Sequence, residues 1–236
     1  MIAYKNQRFS IYFGNAENSV SVDEIARHQK TQAIEKITAE LQALQAVFLQ
    51  QEHGVQGLQL DVHNDKNYIF EPVGDYIVTQ KVGTAVGVVT ADCVPIILYD
   101  PITHTAAVIH AGWKGLVAGV VQVAVQAMIE KNKVASKDLE MYIGPAAGAC
   151  CYEVQQDFID KFEEYQDWFS DFFVEKKGKI FFDSRHFIMV LARNLGIMHE
   201  KLYTRYNVCT ICNQSFCSYR REKEKARRQI SMICLH

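Results

Sequence analysis

Ala85-Val86-Gly87-Val88-Val89-Thr90, Val94-Pro95-Ile96-Ile97-Leu98-Tyr99 and Thr105-Ala106-Ala107-Val108-Ile109 follow one another in the middle of the chain. All three runs are short, rich in β-branched residues and bounded by Asp, Pro or Gly, which marks buried strands. Before them, residues 76–79 read as another strand. After them, residues 115–131 are apolar with many small side chains and read as a buried helix, and 141–143 as a further strand. Upstream, Ser21-Val22-Asp23-Glu24 has the form of a capping box, and helical periodicity runs from it to about Val47. Downstream, 153–165 and 184–195 read as amphipathic helices and 230–235 as a final strand. Strand clusters mixed with long helices predict a mixed α/β or α+β class, a sandwich of mixed β-sheet flanked by helices.

No internal repeat, low-complexity tract or Pro/Gly/Ser-rich linker divides the 236 residues, so the expectation is one domain over 1–236. The 49% hydrophobic and 22% charged composition is that of a globular chain with a large core. A net charge of −2 gives no overall basic field to draw the chain to nucleic acid or an anionic membrane. The first residues, MIAYKNQRFSIYFG, lack a signal-peptide pattern, and no apolar run reaches the length of about eighteen that a membrane span needs. Seven cysteines, two of them adjacent (Cys150, Cys151), make an odd count that argues against a secreted disulfide framework. A reducing cytoplasm is the expected location. The sequence does not set the oligomeric state.

Polar residues at the ends of apolar segments are the candidates for chemistry. Cys93 lies between two strand runs, His110 ends the third run and opens His110-Ala111-Gly112-Trp113-Lys114-Gly115, and His53 lies in Gln51-Glu52-His53-Gly54 after the first predicted helix. Thiolate and imidazole suit Zn²⁺, and three protein ligands would leave a position for an activated water. The same residues suit a Cys93 nucleophile with His110 as its base. They also suit a buried apolar cysteine beside two satisfied histidines. The loop after His110 offers N–H groups and Lys114 to an anion such as phosphate, or is simply a tight strand-to-helix turn. Cys209-x2-Cys212-x4-Cys217 looks like half of a zinc knuckle, with no second Cys/His pair at finger spacing. The basic run Arg220, Arg221, Lys223, Lys225, Arg227, Arg228 is either a solvated face or a source of anion donors. Asp92 is equally a turn cap or an orienting group for His110, and Asp75 and Glu153 receive no catalytic role.

Four motifs occur in order: Thr90-Ala91-Asp92-Cys93-Val94-Pro95, His110-Ala111-Gly112-Trp113-Lys114-Gly115, 143–154 (IGPAAGACCYEV), and Cys209-Thr210 followed by Ser218-Tyr219-Arg220-Arg221. Together they resemble the laccase-domain family, also labelled purine nucleoside phosphorylase, polyphenol oxidase or peptidoglycan editing factor. The similarity spans roughly residues 48 to 236. The resemblance implies zinc bound by His53, Cys93 and His110. It further implies phosphorolysis of adenosine, inosine, guanosine or methylthioadenosine with phosphate, deamination of adenosine, and a fold similar to toxin deamidases that use a Cys-His pair. Lys114, Arg220, Arg221 and Arg228 would then bind substrate. Two family segments are altered: Tyr12-Phe13-Gly14-Asn15-Ala16-Glu17 replaces an Arg-containing N-terminal motif, and Ala226-Arg227 precede the retained Arg228. Other reactions stay open: an amidase editing a peptidoglycan precursor, a metal-free Cys-His hydrolase, and a copper polyphenol oxidase. A four-copper oxidase commonly carries His-x-His pairs, and none of the eight histidines here forms one. Copper could still replace zinc in a Cys/His site.

Overall fold

The computed structural model describes residues 2–63 and 68–236. It is a mixed α/β fold in four layers. A seven-stranded sheet runs in the order Ile2–Lys5, Phe9–Phe13, Arg228–Leu235, Thr84–Thr90, Gln45–Gln50, Ile69–Val73, with Ser19–Val20 paired beside Arg228–Leu235. A six-stranded sheet runs Leu202–Tyr203, Glu140–Ile143, Val94–Asp100, Thr105–Ala111, Tyr76–Thr79, Gly57–Leu60. The facing sides of the two sheets meet through Val47, Val86, Val88, Ile97, Tyr99, Val108 and Ile233. The outer side of the first sheet takes Ile34 and Ile37 of the helix Gln32–Glu40 against Phe48, Val89 and Met232. The outer side of the second takes Val121, Val125 and Met128 of Val120–Asn132, and Phe187 and Leu191 of Ser184–Asn194, against Ile96, Leu98 and Ile109.

This layering explains why the central strands read as unbroken apolar runs. Odd and even residues of one strand face opposite sides of a sheet, and here both sides are covered, so every position of Thr84–Thr90, Val94–Asp100 and Thr105–Ala111 is buried. The strand regions around 76–79, 85–90, 94–99, 105–109, 141–143 and 230–235 are all strands, and 184–195 is a helix to Asn194.

Three local expectations are corrected. The capping box at Ser21 forms, with Glu24 N–H on the Ser21 hydroxyl and the Glu24 carboxylate on Ser21 N–H, but its helix ends at Ala26. A second helix ends at Glu40, and Val47 lies in a central strand. Positive φ angles at His28 and Gln42 break the path, and QAVFLQ finds more burial between the two layers than on a helix face. The helix over 115–131 is two helices, Trp113–Ala118 and Val120–Asn132, broken where Gly119 turns left-handed at φ 87°. The span 153–165 is a two-residue strand, one helical turn and a 3₁₀ segment.

Gly87, on the central strand of the larger sheet, has no room for a side chain: a Cβ there would lie 2.5 Å from the buried Phe48 ring and 2.9 Å from Met232. Gly87→Ala is expected to destabilise the fold by about 1–3 kcal/mol, as overpacking of a filled core does. Urea unfolding with an unchanged midpoint would show that the two layers have slack.

Candidate metal and thiol site

The chain crosses between the two sheets at Ala91-Asp92-Cys93, which joins Thr84–Thr90 to Val94–Asp100, and again at residues 51–56, which join Gln45–Gln50 to Gly57–Leu60. The two crossings lie side by side, and they carry Cys93 and His53. Antiparallel pairing sets His110 opposite Pro95, and Ile109 opposite Tyr76, so His110 stands between Cys93 and Asp75. The sulfur of Cys93, and one ring nitrogen each of His53 and His110, lie within 4.8 Å of one another. Cys93 Sγ is 3.7 Å from His53 Nε2, and the two imidazole rings meet edge to face at 4.7 Å.

Asp75 holds this arrangement and had no assigned role in the sequence. It is buried, its Oδ1 is 2.7 Å from His110 Nδ1, and it accepts the backbone N–H groups of His53 at 3.0 Å and Gly54 at 2.7 Å. One carboxylate therefore orients the His110 ring and shapes the His53 loop. His53 sits at φ 63°, a left-handed conformation that costs a non-glycine residue energy and is held here by those bonds. Gln51 adds a second tether, its side chain exchanging two 2.8 Å hydrogen bonds with the backbone of Val89. Gly112 is required by close approach, since a Cβ there would stand 2.5 Å from His53 Cδ2 and 3.1 Å from Cys93 Sγ.

Burial pushes the Cys93 thiol up, but His110 and His53 outweigh it and bring the thiol down to about 6. Burial pushes His110 down, and Cys93 and Asp75 outweigh that, raising it to about 9. Burial opposes ionisation of Asp75, yet His110 and the N–H groups of Gly54 and His53 hold its carboxyl below the usual range. Without a metal the site is a thiolate–imidazolium pair backed by a carboxylate. With one, it offers one soft and two borderline donors.

The site opens into a cavity of about 630 Å³. Trp113, Tyr152, Phe182 and Tyr219 give it aromatic walls, and Lys114, Arg220 and Arg228 face it with positive charge. Arg220 lies 5.1 Å over the Tyr152 ring. Arg221 is not among the lining residues; its guanidinium donates to the carbonyls of Thr210, Ile211 and Phe216 and pairs with Glu222. Asp92 is spent on structure, accepting from Thr210 Oγ1 at 2.6 Å, Ser218 Oγ at 3.1 Å and Arg220 N–H at 2.6 Å. It thereby fastens the cationic segment beside Cys93. Glu153 pairs with Lys179 at 2.9 Å. No described helix is long and apolar enough to cross a membrane.

A family model described as multi-copper polyphenol oxidoreductase laccase matches residues 13–236. A Clostridium acetobutylicum protein named purine nucleoside phosphorylase is 30% identical over 234 residues, 98% of this chain and 94% of its own length. An Aquifex aeolicus protein of the same name is 35% identical over 162 residues, 69% of this chain and 71% of its own. Among solved structures, the Bacillus licheniformis hypothetical protein YfiH has a TM-score of 0.80 at 25% identity, covering 97% of this chain and 91% of that one. A Neisseria meningitidis protein of the DUF152 family has a TM-score of 0.80 at 23% identity, covering 99% and 97%.

The expectation of a zinc-dependent purine nucleoside phosphorylase and adenosine deaminase is corrected by these findings. The cluster is one thiolate with two imidazoles, a donor set that Cu²⁺ holds more tightly than Zn²⁺, and the matching family model is that of a copper oxidoreductase.

In metal-free protein, alkylation of Cys93 should be at full rate above about pH 7 and fall away as pH drops through about 6, because only the thiolate reacts. In His110→Ala the midpoint should move up to roughly pH 8.5 or above, the range of a free thiol. Mass-spectrometric labelling that finds the same midpoint in both proteins would show that His110 does not activate the sulfur.

Proposed function

The chain belongs to the multi-copper polyphenol oxidoreductase laccase family, and on that premise we propose that it is a metal-dependent oxidoreductase of small phenols whose single copper-type ion is held by His53, Cys93 and His110. The observation that carries the reading is the convergence of one thiolate and two imidazole nitrogens within 4.8 Å at the floor of an aromatic cavity. The donor set fits the group: a thiolate with two imidazoles is a copper-type ligand set, and the described residues gather it once, for one ion. Bound there, Cu²⁺ would supply a one-electron acceptor, with dioxygen as the final oxidant.

The chain's own residues do the rest. Asp75 accepts from His110 Nδ1–H, fixes the tautomer and leaves Nε2 for the ion. Trp113, Tyr152 and Tyr219 stack against an aromatic ring and narrow the path for water. Lys114, Arg220 and Arg228 favour the phenolate over the phenol and receive an acidic ring substituent. The whole chain, 1–236, acts as one domain, and its free thiols suit the reducing cytoplasm.

A second reading rests on the Asp75–His110 contact of 2.7 Å. Without metal, Asp75, His110 and Cys93 form the orienter, base and nucleophile of a thiol hydrolase, with an amide such as a peptidoglycan-precursor linkage as substrate.

The test is protein stripped of metal and reloaded with Cu²⁺ or Zn²⁺, assayed for phenol oxidation by dioxygen uptake. The copper form should turn over, and Cys93→Ser and His53→Ala should fall to the rate of free copper. A copper form no faster than free copper, with amide hydrolysis by the stripped protein, would move the assignment to the thiol hydrolase. Arg220→Ala should raise KM for a carboxylated phenol about tenfold, the scale of one charge-assisted hydrogen bond, and leave a neutral phenol unchanged. Equal effects on both would return Arg220 to a structural role.

A further inference from the structure

Only half of a zinc knuckle is visible in the sequence at Cys209 and Cys212. The fold supplies the other half from far along the chain. Cys150 and Cys151 come to Cys209 and Cys212 so that all four sulfurs lie within 4.8 Å of one another. Cys217, the third cysteine of the apparent motif, is buried elsewhere and takes no part.

The spacing suits a tetrahedral cage of four sulfur ligands. Zn–S bonds of about 2.3 Å in a tetrahedron put neighbouring sulfurs about 3.8 Å apart. Cys150 Sγ and Cys212 Sγ are 3.8 Å apart. That spacing is well beyond the roughly 2.05 Å of a disulfide bond. Backbone N–H groups surround the Cys209 sulfur: Gly148 donates to it at 3.4 Å, and those of Ile211 and Cys212 point at it from its own turn. N–H donors around a sulfur hold it in place for a metal ion, as outer partners of a ligand do. Backbone pairing holds the two halves together: Ala146 N–H bonds Val208 O at 3.1 Å and Thr210 N–H bonds Ala146 O at 3.0 Å. Cys150 and Cys212 are exposed, so an ion can enter from solvent.

We propose that Cys150, Cys151, Cys209 and Cys212 bind one structural thiophilic divalent ion, Zn²⁺ first, separate from the cavity site. Four thiolates leave no open coordination position, so this ion does no chemistry on substrate. It ties the loop over 144–152 to the loop over 207–212. These loops carry Ala147, Tyr152 and Ile211 of the cavity wall and the Thr210 hydroxyl that bonds Asp92. Four thiolates crowded together without an ion would repel one another, and a bound ion removes that repulsion.

The test uses the full chain purified under reducing conditions. A His53→Ala/His110→Ala variant, with the cavity site disabled, should still carry close to one equivalent of zinc by elemental analysis. Adding Cys212→Ser should remove it. Cobalt exchanged into the first variant should show the intense visible bands of a tetrahedral tetrathiolate site, which does not depend on the cysteine variant folding. Hydrogen exchange should rise together in 144–152 and 207–212 when the ion is removed. A metal-free double variant, zinc that survives Cys212→Ser, or disulfides among the four cysteines under reducing conditions would overturn the proposal.

Discussion

The buried carboxylate of Asp75 is the point on which the site depends. A buried charge is tolerated only when it is paired and hydrogen-bonded. Asp75 meets that condition by binding the His110 ring and the N–H groups of the His53 loop at once. The same bonds that satisfy the carboxylate therefore fix two of the three candidate ligands. The backbone repeats the connection, since His110 N–H donates to Asp75 O at 2.7 Å and Asp75 N–H donates to Gln56 O at 2.8 Å. The left-handed turn at His53 is held by these contacts rather than by its own preference.

Asp92 performs the matching task on the other side of Cys93. Its side chain gathers Thr210, Ser218 and the backbone of Arg220, and its carbonyl takes Ala147 N–H at 2.9 Å. Two carboxylates, Asp75 and Asp92, thus assemble the cavity from segments far apart along the chain. The four-cysteine cluster lies just behind the Asp92 side of that assembly, where two loops without long secondary structure need another fastening.

The parts of this molecule legible in its sequence are those where local composition and burial agree. The strands around Val86, Ile97 and Val108 are buried on both faces, so their apolar runs are unambiguous. Cys93 and His110 stand out because polar residues at the ends of such runs are few. The path from Ser21 to Val47 is not legible because helical spacing continues into QAVFLQ, and only the interlayer position decides for a strand there. The short strands at Phe9–Phe13, Gly57–Leu60 and Ile69–Val73 carried too little pattern. Asp75 carries no local signal because its partners lie 21 to 35 positions away along the chain, at distances only sheet register defines. Arg221 looked like Arg220 in a basic run, and only the carbonyls turned toward it separate the two. The cysteine pairs, 62 residues apart at Cys150 and Cys212, could not be joined by spacing rules.

The central claim is that His53, Cys93 and His110 together hold a copper-type ion. X-ray absorption at the copper edge tests it most directly, on protein given one equivalent of Cu²⁺. The account predicts a first shell of one sulfur and two imidazole nitrogens. A shell of oxygen and nitrogen alone, or one made of several sulfurs, would contradict it.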